Sequence, residues 1–219
     1  MGKAFFITGT DTGAGKTFVG RCLLRYFVEK NVKAIPFKPI ETGVVNRKPE
    51  DGSILLEESK TKESLDKIVP YTFELPAAPL VAARKENVEI NINKIVETFL
   101  YLKSKYEVVM VEGAGGLLVP ITHGISYAEL VKILDIPMLV VARSKLGTIN
   151  HTLLTLRVAK SYGIRVIAVV LNRYEGADYV ELTNPQVIEE LGNIKTFIIG
   201  ESKEPFAPYD LGDYIYANI

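Results

Sequence analysis

"ITGTDTGAGKT", residues 7–17, follows the apolar run Ala4-Phe5-Phe6 and closes on Gly15-Lys16-Thr17. A strand that passes through a Gly-rich turn into a helix opening on Gly-Lys-Thr is the setting of a phosphate-binding loop. Backbone N–H groups of Gly13, Ala14 and Gly15 can cradle oxygens there, and the helix N-terminus adds partial positive charge. Lys16 is placed to neutralise β- and γ-phosphate oxygens, and Thr17 to offer its hydroxyl to Mg2+. Against the usual G-x-x-x-x-G-K-[ST] spacing the first glycine comes one residue early. Gly9 precedes Thr10, and Asp11 brings a negative charge that suits the loop if it faces a metal or an amine.

Outward from this loop, short apolar runs alternate with helical patterns, the mark of a parallel sheet. Strands are predicted at 4–8, 34–38, 107–112, 138–142, 166–171 and 196–199. Helices are predicted at 16–30, 92–105, 127–134, 148–162 and 185–191. The central strands are continuous Val/Ile/Leu-rich stretches, as expected where both faces are covered. The expected fold is a single α/β domain over residues 1–219: a predominantly parallel sheet with helices on both faces, of the P-loop NTPase type. Residues 69–90 are Pro-rich in their first half and break the alternation, so they read as a lid or an excursion from the sheet. Residues 200–219 read as a polar, Pro-interrupted tail.

Composition narrows the function. Lys+Arg and Asp+Glu are equal at 26 each, so no net positive field favours nucleic acid or an anionic membrane. Cys22 is the only cysteine, which excludes an intrachain disulfide framework and a cysteine-rich zinc site. The N-terminus reads as a strand and loop rather than a signal peptide, and no apolar run is long enough to span a bilayer. A cytoplasmic soluble protein is the expectation.

In open parallel sheets ligands bind beyond the carboxyl ends of the strands, and every remaining motif lies just after a strand. Lys38, fixed by Pro39, ends the second strand, where its ammonium can project over the site. Thr42 and Gly43 can present a hydroxyl and an N–H to a substrate oxygen. Asp51 stands just before a helical pattern, as an N-cap or as a carboxylate on Mg2+. Glu112 ends the third strand and is followed by Gly113, Ala114, Gly115 and Gly116. A strand-end acid suits a metal, and the glycines admit close backbone approach. Thr148 and Asn150 are candidate helix caps, at a helix N-terminus that can also hold a carboxylate. Asn172 can pair with a purine edge through its amide. His123 and His151 have no metal-ligand spacing.

Taken together, these residues resemble the dethiobiotin synthetases. The motifs G-T-D-T-x-x-G-K-T at 9–17, K-P-[IV]-x-[ST]-G at 38–43, Asp51, V-E-G-A-G-G at 111–116, K-L-G-x-I-N-H at 145–151 and Asn172-Arg173 occur in the same order. The resemblance implies that the early glycine is the family's own loop variant. It implies that 7,8-diaminopelargonate, CO2 and ATP give dethiobiotin, ADP and phosphate through a carbamate and a carbamic-phosphoric mixed anhydride. By position, Lys16 and Lys38 would stabilise phosphoryl and carbamate oxygens, and Thr17, Asp51 and Glu112 would surround Mg2+. Thr12, Gly13, Ala14, Gly15, Lys16, Thr17, Asp51, Glu112, Gly113, Ala114, Gly115, Asn172 and Arg173 would contact ATP, with Asn172 at the adenine. Thr12 and Thr42 would touch the diamine. Leu146, Gly147, Thr148 and Asn150 would hold its tail carboxylate, partly across a homodimer interface. Glu41 stands where the family often has glutamine or alanine.

Two rivals share the fold or the chemistry. A partition or septum-positioning ATPase carries a signature lysine that would fall at position 11, where this chain has Asp11. A cobyrinate-type amide synthase carries a glutaminase domain and a nucleophilic cysteine, for which this chain has neither the length nor a suitable residue.

Overall fold

Two apolar runs set the centre of the molecule. Phe5 and Ile7 pack on one side of the first strand and Phe6 on the other, and all three are fully buried. The same alternation recurs in Val109 and Val111 against Val108 and Met110. Each side therefore needs its own helical cover, and a parallel sheet between two helix layers is the result. The computed structural model describes residues 2–46 and 48–219.

The sheet strands are β1 (Lys3–Gly9), β2 (Ala34–Phe37), β5 (Val108–Gly116), β8 (Met138–Arg143), β9 (Val166–Tyr174) and β10 (Thr196–Gly200). They lie in the order β10-β9-β8-β1-β5-β2, and every pairing is parallel. Two small ribbons accompany the sheet: β3 (Ile40–Thr42) with β4 (Tyr71–Phe73), and β6 (Pro120–Thr122) with β7 (Ile125–Ser126). The helices are α1 (Lys16–Glu29), α2 (Glu50–Ser59), α3 (Leu65–Ile68), α4 (Pro79–Glu86), α5 (Ile92–Lys105), α6 (Tyr127–Leu134), α7 (Thr148–Ser161), α8 (Tyr179–Gly192) and α9 (Tyr209–Asn218). Leu23, Leu24 and Phe27 of α1 are fully buried in one layer, and Phe99 and Leu102 of α5 are buried in the other. Each such side chain contributes about 1.5–3 kcal/mol.

All six predicted sheet strands are present. The third runs farther than expected, through the glycines to Gly116. Helix α8 starts at Tyr179, not at Pro185, because Asp178 caps it by accepting from the Glu181 N–H. Pro185 sits inside the helix, where its missing N–H is tolerated alongside packing of buried Asn184 and Ile188. Residues 69–90 are built on β4 and α4, and Phe73, Ala82, Ala83 and Ile90 join the core. The C-terminal stretch, read as a weakly structured tail, instead contains α9. Its Leu211, Gly212 and Ile215 follow helical spacing and are buried, and a methyl on Gly212 would meet the Tyr26 ring at 2.4 Å. Among the described residues no helix is long and apolar enough to cross a membrane.

Candidate active site

Strand register brings the charged residues together. Ile7 lies opposite Glu112 across β1 and β5, and Phe37 lies opposite Val111 across β2 and β5. Lys38, the next residue after Phe37, therefore emerges beside Glu112 at the carboxyl end of the sheet. Its Nζ donates to Glu112 Oε1 at 2.7 Å and to Asp51 Oδ2 at 2.6 Å. Thr17 Oγ1 donates to the same Glu112 oxygen at 2.9 Å. Glu112 is 0% exposed and Lys38 only 3%. A buried ion pair of this kind is costly to form and costlier to break on one side, about 3–5 kcal/mol.

These groups line a cavity of about 300 Å3 whose wall includes Thr12, Gly13, Gly15, Lys16, Thr17, Lys38, Glu41, Thr42, Asp51, Glu112, Gly113, Ala114, Gly115 and Arg173. A cavity of that size is at the lower end of the range for small-molecule sites. The early glycine of the loop has a steric reason. A methyl on Gly9 would stand 2.7 Å from the Asp11 carbonyl and 3.3 Å from Lys16 Nζ, so the strand end must be bare for the loop to fold back over it. Asp11 itself turns to its own loop, where Oδ1 accepts from the Thr12 N–H at 2.7 Å.

The two lysines differ electrostatically. Burial lowers the Lys16 pKa below that of an ordinary lysine, and the nearby Glu112 charge offsets this only in part. For Lys38 burial also pulls downward, but the Glu112 and Asp51 carboxylates outweigh it and hold the ammonium above the usual value. For Lys16 the sign is clear: between its lowered folded pKa and the unfolded value, the unfolded chain binds more protons. Stability therefore rises with pH through that window, and below it the buried charge destabilises the fold. Lys16→Met should accordingly raise the melting temperature of the ligand-free protein at neutral pH by roughly 2–4 °C, about what 1 kcal/mol is worth in a chain of this size. Differential scanning calorimetry checks this. An unchanged or lower melting temperature would mean that the ammonium is already compensated.

Thr17, Asp51 and Glu112 offer an all-oxygen donor set suited to Mg2+. Glu112 Oε1 is the oxygen that meets the cavity-lining Lys38 and Thr17, while Oε2 is buried beside Gly20 with no hydrogen-bond partner among the described residues. Among the described residues no three His, Cys, Asp or Glu side chains form a self-sufficient metal cage. Mg2+ is usually held by one or two carboxylates and completed by phosphates and water.

Not every predicted site residue joins the cavity. Asn172 is fully buried behind the phosphate loop, with Nδ2 donating to the Ala14 carbonyl at 3.1 Å and Oδ1 unpartnered among the described residues. Ala14 is likewise buried and contributes no side chain to the wall. Arg173 lines the mouth with its backbone in the left-handed region, at φ 56°. Leu146, Gly147, Thr148 and Asn150 lie at the start of α7, outside the cavity wall; Leu146 is 90% exposed and Thr148 buried. A groove of about 420 Å3 between the Gly116–Pro120 turn and α7, lined by Leu118, Leu154 and Val158, begins beside Thr10 and Asp11. Glu41 was assigned no role from sequence, yet it lines the cavity and binds the start of α2. A signal was available: α2 begins after Pro49, which has no side-chain acceptor for the first turn, so a cap had to come from elsewhere.

Comparison with known proteins follows the same lines. Residues 3–201 match the model of the family described as AAA domain. The ATP-dependent dethiobiotin synthetase BioD of Aquifex aeolicus is 41% identical over 95% of this chain and 96% of its own length. The enzyme of the same name from Bacillus licheniformis is 38% identical over 94% of this chain and 88% of its own. Among solved structures, a ParA family ATPase from Chlorobium tepidum superposes with a TM-score of 0.58 at 15% identity, covering 93% of this chain and 86% of that one. The septum site-determining protein MinD of Pyrococcus horikoshii, complexed with Mg-ADP, gives 0.56 at 18% identity, covering 92% and 82%. The two structural likenesses establish the fold alone.

Proposed function

This chain belongs to the family described as AAA domain and to the dethiobiotin synthetases, ATP-dependent ligases that form carbon–nitrogen bonds, and from that premise we propose how its own residues do the work. The observation that carries the reading is the convergence of Lys16, Lys38, Thr17, Asp51 and Glu112 on one cavity. In the reaction, one amine of 7,8-diaminopelargonate adds to CO2, losing a proton and giving a carbamate. A carbamate oxygen then takes the γ-phosphoryl group of ATP and releases ADP. The second amine attacks the carbonyl carbon, expels phosphate and closes the ureido ring.

Each intermediate is anionic, so the protein's task is positioning and charge stabilisation. The loop from Gly13 to Thr17 cradles the β- and γ-phosphates with backbone N–H groups. Lys16, whose pKa is lowered by burial, gains most from an incoming phosphate oxygen. Lys38, held protonated, faces the carbamate and transferring phosphoryl oxygens. Thr17, Asp51 and Glu112 would hold Mg2+, which when bound neutralises phosphate oxygens. Thr12 and Thr42 contact the diamine, and Arg173 at the mouth reaches the nucleotide. Asn172 supports the loop through Ala14 and keeps Oδ1 for the adenine.

The start of α7, with Leu146, Gly147, Thr148 and Asn150, binds the substrate's tail carboxylate at a helix N-terminus. It lies outside the cavity; Leu146 is exposed, and exposed Leu118 and Leu154 line the groove along α7, so a second copy of the chain covers this face. Sedimentation velocity should show a homodimer; a monomer at micromolar concentration would remove this part. The function itself is tested by incubating the protein with MgATP, 13C-bicarbonate and 7,8-diaminopelargonate. Mass spectrometry should find dethiobiotin carrying one labelled carbon. ADP formed without labelled product would refute the reading.

A further inference from the structure

Helix α2 has an unusual beginning. Its N-cap is Pro49, which makes no side-chain cap bond, so the N–H groups of the first turn need an outside acceptor. Glu41, on β3 and only 5% exposed, supplies it across ten residues of sequence. Its Oε1 accepts from the Asp51 N–H at 3.0 Å and its Oε2 from the Gly52 N–H at 2.9 Å. Gly52 leaves room for the contact: a methyl there would lie 2.1 Å from Val69 Cγ2 and 3.4 Å from Glu41 Oε2, so a side chain would push the turn away from its acceptor. From this turn the Asp51 side chain reaches Lys38 Nζ at 2.6 Å.

We propose that Glu41 is a positioning residue: by capping α2 from β3 it fixes the Asp51 carboxylate in the cavity, and thereby sets the affinity for the nucleotide-bound divalent cation. Both Glu41 oxygens are engaged by amides, so it acts through Asp51 and not as a ligand itself. The inference rests on the reading of Asp51 as a cation ligand.

The test is Mn2+ affinity in the presence of ADP, from the electron paramagnetic resonance signal of free Mn2+, together with amide exchange at Asp51 and Gly52 by NMR. Asp51→Asn should weaken Mn2+ binding by at least about 100-fold, as loss of a ligand, and Glu41→Ala by about 10–100-fold, the usual effect of losing a group that orients one. Glu41→Gln, which keeps one acceptor oxygen but turns an NH2 toward the other amide, should fall between the native protein and Glu41→Ala. Both amides should exchange faster in Glu41→Ala. Adding Pro49→Ser to Glu41→Ala supplies a local cap and should restore Mn2+ affinity to within a few-fold, a rescue that loss of charge alone would not permit.

If Asp51→Asn loses Mn2+ while Glu41→Ala binds it normally, the positioning role is wrong. Failure of Pro49→Ser to recover Mn2+ affinity in Glu41→Ala would mean that the charge and not the cap matters, and would also overturn it. Native Mn2+ affinity in Asp51→Asn would take down the cation-ligand reading beneath the proposal.

Discussion

Lys38→Ala should lower turnover roughly 10²–10³-fold, the size of effect seen when one preorganised donor to a developing anion is removed. The expectation follows from position and charge state together. The ammonium lies at the end of β2 with Glu112 and Asp51 within 2.7 Å, and those carboxylates keep it protonated despite its burial. A protonated, nearly water-free amine is worth most where charge builds up in the transition state, so the loss should fall mainly on kcat. The substitution also leaves Glu112 without its nearest cation. Turnover should therefore be measured well below the melting temperature, with circular dichroism confirming the fold. A folded Lys38→Ala with near-native kcat would remove Lys38 from the mechanism.

Glu112→Gln should be nearly as severe but with a different signature. The amide is isosteric, and its oxygen can still accept from Thr17 and Lys38, so the fold should survive. What is lost is the negative charge that a bound cation would need at this end of the site. Loss of groups that merely orient metal ligands costs 10–100-fold, so loss of a ligand should raise the Mg2+ concentration for half-maximal activity by at least about 100-fold. The activity remaining at saturating Mg2+ separates the metal effect from a general one. A Mg2+ titration superimposable on that of the native protein would contradict the assignment of Glu112.

Much of this site was legible in the sequence because the residues that build it sit at strand ends. An apolar run followed by a charge is visible without coordinates, and Glu112 after Val108-Val109-Met110-Val111 shows this best. In a parallel sheet all strand ends point to one side, so Lys16, Lys38 and Glu112 had to converge if the strands were correctly placed. Glu41 could not be placed the same way. Its role depends on a contact between β3 and the start of α2, and nothing in its local pattern states which amides it will meet. Asn172 shows the limit from the other side. Its chemistry suits a purine, and its Nδ2 also braces the Ala14 carbonyl, a tertiary contact across 158 residues that no local pattern announces. The start of α8 was misplaced because proline usually marks a first helical turn, whereas here Asp178 caps the helix a turn and a half earlier.

The partition-type ATPases illustrate why the site and not the fold must carry the function. The ParA family ATPase and MinD superpose over most of this chain at 15% and 18% identity, a likeness of fold alone. A fold of this kind positions phosphates. What is done with them depends on the other groups in the cavity, where Lys38 and Thr42 join the loop residues.

That dependence makes one measurement decisive: the rate of ADP release from MgATP and bicarbonate, with and without 7,8-diaminopelargonate. If the cavity holds the carbamate between Lys38 and the phosphate loop, release should be negligible until the diamine is added and then match dethiobiotin formed one for one. Equal ADP release in both reactions would contradict the account at its root.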